Sequence, residues 1–320
     1  MSDFLAITGP TTSGKTALSL RVAEVLDGEI ISMDSRQVYR GMDIATDKLP
    51  ERERRGIPHY GLDLKDPSEI YSAVEYARNA RQWIADIRVR GRVPLLAGGT
   101  GFFLRALTDP MFDQPEIDAG RRERLRRHLT SFEQTKLECW ARVLDPDRAD
   151  LAAEGGPQRL TRTVEVPLLT GRPLSWWHEY GAPEAEPMEG VVVLLDLPRE
   201  ELDERIDARI ARMLKAGLVL EVERLIAAGY GSDDPGMTGT GYREIGRYLA
   251  GACTLEEALE DMSRATKRYA RRQMTWFRHQ LPDDVVRVGG VQAIEEQVEI
   301  VVAAWRGTME NTVPAAGDGA

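Results

Sequence analysis

Residues Gly9–Thr16 read GPTTSGKT, a complete G-x-x-x-x-G-K-[ST] pattern between an apolar run, Phe4-Leu5-Ala6-Ile7, and a helix-like stretch from Ala17. A strand, a tight Gly-rich turn and a helix in that order point several backbone N–H groups into one concavity, with the positive helix end behind them. The segment is a phosphate-binding loop. Lys15 is set to reach a terminal phosphate and the Thr16 hydroxyl to hold a magnesium ion. The motif leaves open which phosphorylated ligand it holds.

Two further apolar runs end in small or polar clusters: Ile30-Ile31-Ser32-Met33 before DSRQ, and Val93-Pro94-Leu95-Leu96-Ala97 before GGTG. Loops after the carboxyl ends of parallel strands gather on one sheet edge, so the three loops are expected to meet. Helical periodicity over Leu18–Leu26 and Ala73–Ile87 supplies the crossovers that parallel strands require. Val191–Leu195 is short, continuous and β-branched, as a buried strand should be. The expected fold is α/β, a P-loop-type parallel sheet flanked by helices with a helical insertion domain. Residues 1–111 form the first part of the core, and 112–190, charged and broken by Pro and Gly, form the insertion. Residues 191–307 return to the core. They carry long amphipathic helices over Leu202–Ala228, ended by Gly229, and Leu255–Phe277. Residues 308–320, small and polar, are expected to be disordered.

The 320 residues, 42% of them hydrophobic, suffice for a sizeable core. Two distant cysteines, Cys139 and Cys253, suggest neither a disulfide framework nor a zinc site and fit a reducing cytoplasm. The four histidines show no metal-ligand spacing. His59 reads as a hydrogen-bonded structural residue near the core edge. The N-terminus runs straight into the first strand, and no apolar run approaches bilayer length, so a soluble, unprocessed protein without a membrane partner is expected.

A formal charge of -10 speaks against a nucleic-acid partner until its distribution is considered. Arg264–Arg278 reads RATKRYARRQMTWFR, with six basic residues and no acidic one, and Tyr269 and Trp276 interleave aromatic surface with the charge. Arg121–Arg127, RRERLRR, reads as a solvated helix face. Trp276, at helical spacing, fits either a core aromatic or a platform that stacks on RNA, and the sequence leaves the two open.

Asp34 stands where the second strand should end. A carboxylate there, near the phosphate loop, suits magnesium binding or proton acceptance, and with Gln37 it also matches a capping box. Gly98-Gly99-Thr100-Gly101 permits close backbone approach and offers one hydroxyl. Val191–Asp196, VVVLLD, mimics a Walker B strand, but Leu-Pro and a charged helix follow it, which favours a plain strand. No N-K-x-D guanine reader or G-x-S-x-G elbow is present.

The ordered set GPTTSGKT (9–16), DSRQVYRGMDIATDK (34–48), IPHYGLD (57–63), GGTGFFLRAL (98–107), QRLTRTVEV (158–166), GTGYREIG (239–246) and RRQMTWFR (271–278) resembles the tRNA dimethylallyltransferases, also called tRNA isopentenyltransferases. The resemblance implies transfer of a dimethylallyl group from dimethylallyl diphosphate to the exocyclic amine of the adenosine just 3′ of the anticodon. Diphosphate is released, and Mg²⁺ assists. The insertion grips the anticodon stem-loop of the tRNA, and the enzyme is a cytoplasmic monomer.

By the same resemblance Asp34 is the general base and Thr100 its partner. Gly9, Pro10, Thr11, Thr12, Ser13, Gly14, Lys15 and Thr16 hold the diphosphate, with Thr16 on the metal. The tRNA-contact segments comprise Asp34, Ser35, Arg36, Gln37, Thr100, Arg122, Gln158, Arg159, Leu160, Thr161, Arg162, Gly241, Tyr242, Arg243, Arg271, Arg272, Gln273, Thr275, Trp276 and Arg278. Phe103 stands where Tyr is usual, Thr163 where Ala is common and Arg271 where Lys is typical.

The residues make sense of this chemistry. An adenine amine is a poor nucleophile, while an allylic carbon readily bears positive charge once diphosphate begins to leave. Donors aimed at the departing diphosphate are worth ~3–4 kcal/mol of barrier, and a base at the amine roughly 10²–10⁴-fold. A small-molecule or nucleoside kinase, prenyl transfer to a free adenosine phosphate, and a non-catalytic RNA-binding switch use some of the same features. The first would consume ATP, the second would not need the basic segment, and the third would form no covalent product.

Overall fold

Short runs of Val, Ile and Leu alternate with longer amphipathic stretches, a pattern that buries strands on both faces and lays helices over them. The computed structural model describes residues 2–112 and 117–310. Proximity along the backbone divides the chain into two compact units, Met1–Thr108 with Met188–Ala320, and Asp109–Pro187.

The first unit opens with β1 (Phe4–Thr8), α1 (Lys15–Leu26), β2 (Gly28–Ser32), β3 (His59–Tyr60), α2 (Ala73–Val89), β4 (Val93–Gly98) and α3 (Gly101–Thr108). The second unit holds α4 (Ala119–Thr130), α5 (Gln134–Leu144), α6 (Pro146–Glu154), α7 (Pro157–Thr170) and α8 (Leu174–Tyr180). The first then resumes with β5 (Gly190–Asp196), α9 (Arg199–Lys215), α10 (Leu218–Ala227), α11 (Tyr242–Leu249), α12 (Leu255–Gln280), β6 (Val286–Gly289) and α13 (Ile294–Glu310).

The sheet runs β3-β2-β4-β1-β5-β6, and every pairing is parallel. Leu5, Ile7, Ile30, Leu95, Val193 and Leu195 share one core with Leu18 and Val22 of α1 and with Val301 and Trp305 of α13. Their sequence neighbours Phe4, Ala6, Ile31 and Leu96 are equally buried and point to the opposite face, as a period of two requires. A second core joins Val38, Tyr39 and Met42 of the loop after β2 to α9, α10, α11 and α12. The helical unit has its own core of Leu129, Leu137, Ala141, Leu160 and Val164.

Three expectations need correction. The single helix expected over Leu202–Ala228 is two, because Gly217 adopts φ 99 between α9 and α10, a left-handed conformation that turns the chain before the leucine pattern resumes. The capping box at Asp34 does not form, since no helix follows. The polar tail starts later than Thr308, whose hydroxyl donates back to Ala304 O inside the last turns of α13. Residues 311–320 of that expected tail lie outside the described residues. His59, as expected, is held by its backbone neighbourhood: Nδ1 lies 2.8 Å from Ile57 O, and burial lowers its pKa.

Candidate active site

The strand order places the ends of β2, β4 and β1 side by side, and the loops leaving them build one site. Within the phosphate loop, Ser13 N donates to Pro10 O at 3.3 Å, and the first helical bond of α1 is Leu18 N to Gly14 O at 3.2 Å. The N–H groups of Lys15, Thr16 and Ala17 therefore precede any intrahelical partner and are directed outward, as at any helix start. Lys15 Nζ folds back to donate to Pro10 O at 2.5 Å and Ser13 Oγ at 3.4 Å. Burial pushes its pKa down to about 7, the Asp34 and Asp47 carboxylates oppose that fall, and Arg209 adds to it. An ammonium so poised is a receptor for incoming anionic charge.

After β2 the chain turns at Asp34, whose Oδ1 accepts the Arg36 N–H at 2.8 Å. Gln37 accepts instead from Ser32 Oγ at 2.9 Å and donates to Thr46 O at 3.2 Å, which is why it caps nothing. The turn is locked to the β4 loop: Thr100 N donates to Met33 O at 3.1 Å, and Ser35 N donates to Thr100 Oγ1 at 3.1 Å. Gly98 makes this approach possible, since a Cβ there would lie 2.1 Å from Met33 O. Farther along, the buried Lys48 Nζ donates to Tyr39 O, Asp43 and Asp63. Glu221 of α10 accepts from Asp43 N at 3.0 Å and Ile44 N at 2.8 Å. These bonds fix the loop that presents Thr46 and Asp47.

A cavity of about 460 Å³ is lined by Thr11–Ala17, Asp34, Gln37, Thr46, Asp47, Gly98 and Gly99, closed by Arg205, Arg209 and Arg212 of α9 and by Tyr269 and Gln273 of α12. A second, of about 390 Å³, shares Thr11, Asp34, Thr46, Arg209 and Tyr269 with it. Ile206, Ile210, Met213, Met262 and Ala265 give the second an apolar wall, while Arg36, Arg243, Arg268 and Arg272 give it cationic sides. Asp34 thus faces both spaces. Arg209 Nη1 donates to Thr11 Oγ1 at 2.8 Å, its Nε lies 3.6 Å from Asp47 Oδ2, and so it is aimed across the phosphate loop.

The site therefore brings together the expected 9–16 loop, Asp34, Ser35, Arg36, Gln37, Thr100, Arg243, Arg272 and Gln273. Gln273 is buried and structural as well: Oε1 accepts Thr11 N and Nε2 donates to Gly99 O. Tyr242 is buried with its hydroxyl donating to Glu221 at 2.6 Å, and Gly241 N donates to Glu244. Trp276 is half-buried with its ring against Gly101, and it borders a different hollow of about 750 Å³.

Thr275 and Arg278 are exposed on α12, and Arg271 is exposed 3.6 Å from Asp203. In the helical unit Gln158 and Arg159 are exposed, whereas Leu160 and Thr161 are buried and turn their side chains inward. Arg122 and Arg162 converge on the buried Glu165 at 3.5 and 3.0 Å.

Sequence reasoning missed Arg205, Arg209, Arg212 and Tyr269 as site residues. The arginines look like the polar face of an amphipathic helix, and only their four- and three-residue spacing hints at a shared side. Among the described residues no group of three or more His, Cys, Asp or Glu side chains is arranged to hold a metal. Thr16, exposed at the start of α1 and lining the first cavity, offers the hydroxyl that would hold a magnesium ion there.

A family model described as IPP transferase matches residues 37–280. A tRNA dimethylallyltransferase of Roseiflexus sp. (strain RS-1) is 40% identical over 310 residues, 95% of this chain and 99% of that protein. Its namesake in Halorhodospira halophila is 42% identical over 305 residues, 95% and 98%. Among solved structures, the tRNA isopentenylpyrophosphate transferase of Bacillus halodurans superposes with a TM-score of 0.70 at 33% identity, covering 97% of this chain and 99% of that one. A eukaryotic dimethylallyltransferase acting on tRNA shares the fold, with a TM-score of 0.83 at 24% identity over 99% of this chain and 82% of its own.

Proposed function

The chain belongs to the IPP transferase family, among the tRNA dimethylallyltransferases, and from that premise we propose how its two adjoining cavities divide the reaction. The protein transfers a dimethylallyl group from dimethylallyl diphosphate to the exocyclic amine of the adenosine 3′-adjacent to the anticodon in tRNA, releasing diphosphate. The observation that carries the division is the position of Asp34, which lines both the space under the phosphate loop and the space beside Arg36, Arg243, Arg268 and Arg272.

The diphosphate end of the donor lies against the outward N–H groups of the 9–16 loop, Lys15 and Arg209. Thr16 would hold Mg²⁺, which supplies positive charge to the diphosphate when bound. The allylic carbon then points toward Asp34. The adenine comes from the second cavity, its amine nitrogen facing the same carboxylate. The C–O bond to diphosphate breaks, an N–C bond forms, and the amine proton passes to Asp34 Oδ2, the oxygen not engaged by Arg36 N. Preorganised cations at the leaving group supply the larger part of the barrier lowering.

The target base must leave its stack, at a cost of a few kcal/mol that is least in a flexible loop. Arginines at the second cavity offset it through contacts with phosphates, and those of the helical unit, Arg122, Arg159 and Arg162, contribute to holding the stem. The protein works as a monomer. Incubation with dimethylallyl diphosphate, Mg²⁺ and unmodified tRNA, followed by mass spectrometry of the nucleosides, tests the reading. Prenylated adenosine is expected, and its absence from every tRNA with adenosine at that position refutes it.

A further inference from the structure

Two carboxylates line the cavity under the phosphate loop, Asp34 and Asp47. Asp34 has a part in the transfer, and Asp47 has none. An anion placed in a site for an anion costs affinity, so its presence there needs a cause.

The loop after β2 holds Asp47 in place by its neighbours. Glu221 accepts the Asp43 and Ile44 amides, Thr46 Oγ1 donates to Met42 O at 2.6 Å, and Gln37 Nε2 donates to Thr46 O. On the other side Lys48 is buried between Tyr39 O, Asp43 and Asp63. Asp47 N closes the turn on Ile44 O at 3.1 Å, and the residue adopts φ 53, in the left-handed region. The backbone is thus fixed on both flanks, while the Asp47 side chain is 59% exposed.

Its partner is Arg209. That side chain is only 14% exposed, donates to Thr11 Oγ1 at 2.8 Å, and among the described residues pairs with no carboxylate other than Asp47. A cation so enclosed calls for a counter-charge. The pair is nevertheless loose. Arg209 Nε lies 3.6 Å from Asp47 Oδ2, beyond a good hydrogen bond, whereas Lys48 Nζ holds Asp43 and Asp63 at 2.7 and 2.6 Å. An exposed carboxylate on a short side chain can therefore release the guanidinium by rotation, with the backbone unmoved. The same charge also opposes the burial that lowers the Lys15 pKa.

Resting on the reading that the 9–16 loop, Lys15 and Arg209 receive the diphosphate, we propose that Asp47 is an internal counter-anion of that site. It neutralises Arg209 in the donor-free protein, yields the guanidinium to the incoming diphosphate, and reclaims it as the product leaves. The chemistry creates the need. Donor and product carry the same anionic end, so a cradle that grips the departing group strongly also retains it. A carboxylate competing for the same cation lowers that retention.

Asp47→Asn keeps the shape, tolerates the left-handed backbone and removes the charge. Calorimetric titration of the full chain with inorganic diphosphate, at fixed Mg²⁺, should show binding tightened about threefold to fivefold, as expected when a half-exposed ion pair stops competing. Asp47→Gly, equally suited to that backbone, should show the same gain. A residue that only shaped the loop would lose affinity on replacement, so unchanged or weaker binding in both variants overturns the inference. Weakening that appears only with Mg²⁺ present also overturns it, by assigning the carboxylate to the cation. In an Arg209→Met background the gain from Asp47→Asn should fall away, and an undiminished gain there overturns the pairing. Wild-type protein that fails to bind inorganic diphosphate overturns the underlying reading instead.

Discussion

Thr11 and Gln273, 262 residues apart in the chain, are joined by a 2.9 Å hydrogen bond from the backbone N–H of the first to the side-chain oxygen of the second. The amide nitrogen of the same glutamine donates to Gly99 O at 2.8 Å. One buried side chain thus satisfies a donor from the phosphate loop and an acceptor from the neighbouring loop, and it sets the width of the space between them. Replacing it with Leu strands both backbone groups in a buried site, each at a cost of about 1–3 kcal/mol. Gln273→Leu is expected to lower the urea midpoint and to raise the donor KM. A variant with both values unchanged would show that the glutamine is not the clamp.

Lys15 couples donor binding to protons. Its pKa in the free site is lowered to about 7, mainly by burial, and a bound diphosphate must raise it. Below that pH the lysine is already charged and donor affinity is at its full value. As pH rises from about 7 toward the bound-state pKa, affinity should weaken by up to about tenfold per unit. Calorimetry at a pH just above 7 in buffers of different ionisation enthalpy should show fractional proton uptake, and Lys15→Arg should abolish it.

Asp34→Asn preserves an oxygen for the Arg36 N–H but carries no charge and accepts no proton. Turnover should fall by roughly 10²–10⁴-fold, with tRNA affinity largely kept. Because the Asp34 charge raises the Lys15 pKa, its removal should also move the loss of donor affinity to lower pH. A variant with reduced turnover and an unshifted binding profile would break the electrostatic link between the two residues.

Within the basic run of α12, charge is unevenly committed. Arg264 pairs with Asp261 at 2.6 Å and Lys267 with Asp207 at 2.6 Å, whereas Arg268 and Arg272 face the second cavity without an ion pair among the described residues. Arg272→Ala and Arg268→Ala should each weaken tRNA binding and reduce the slope of affinity against salt by about one. Arg264→Ala should do neither to the same extent. Fluorescence anisotropy with labelled tRNA across a salt series distinguishes them.

Much of the site was legible in the sequence because it is built from strand ends. Ile7-Thr8, Ser32-Met33 and Ala97-Gly98 each announce the end of an apolar run followed by small or polar residues, and parallel topology forces such ends onto one edge. β3 and β6 escaped notice for a physical reason: two residues, or the four of Val-Arg-Val-Gly, are too few to show a period. The break at Gly217 was hidden by leucines that continue the helical spacing on both sides. Arg209 was illegible because an arginine that crosses to a loop 198 residues away has the same local context as one that faces water. Tyr269 could be seen as an aromatic among cations, but its place beside Asp34 in the wall of both cavities exists only in the folded chain.

β1, which delivers the anion cradle, is hydrogen-bonded along both edges, to β4 on one side and β5 on the other. Displacing it would unzip two ladders at once. The end of the protein that carries the cradle is accordingly an anvil, braced on both flanks against the pull of whatever anion it grips.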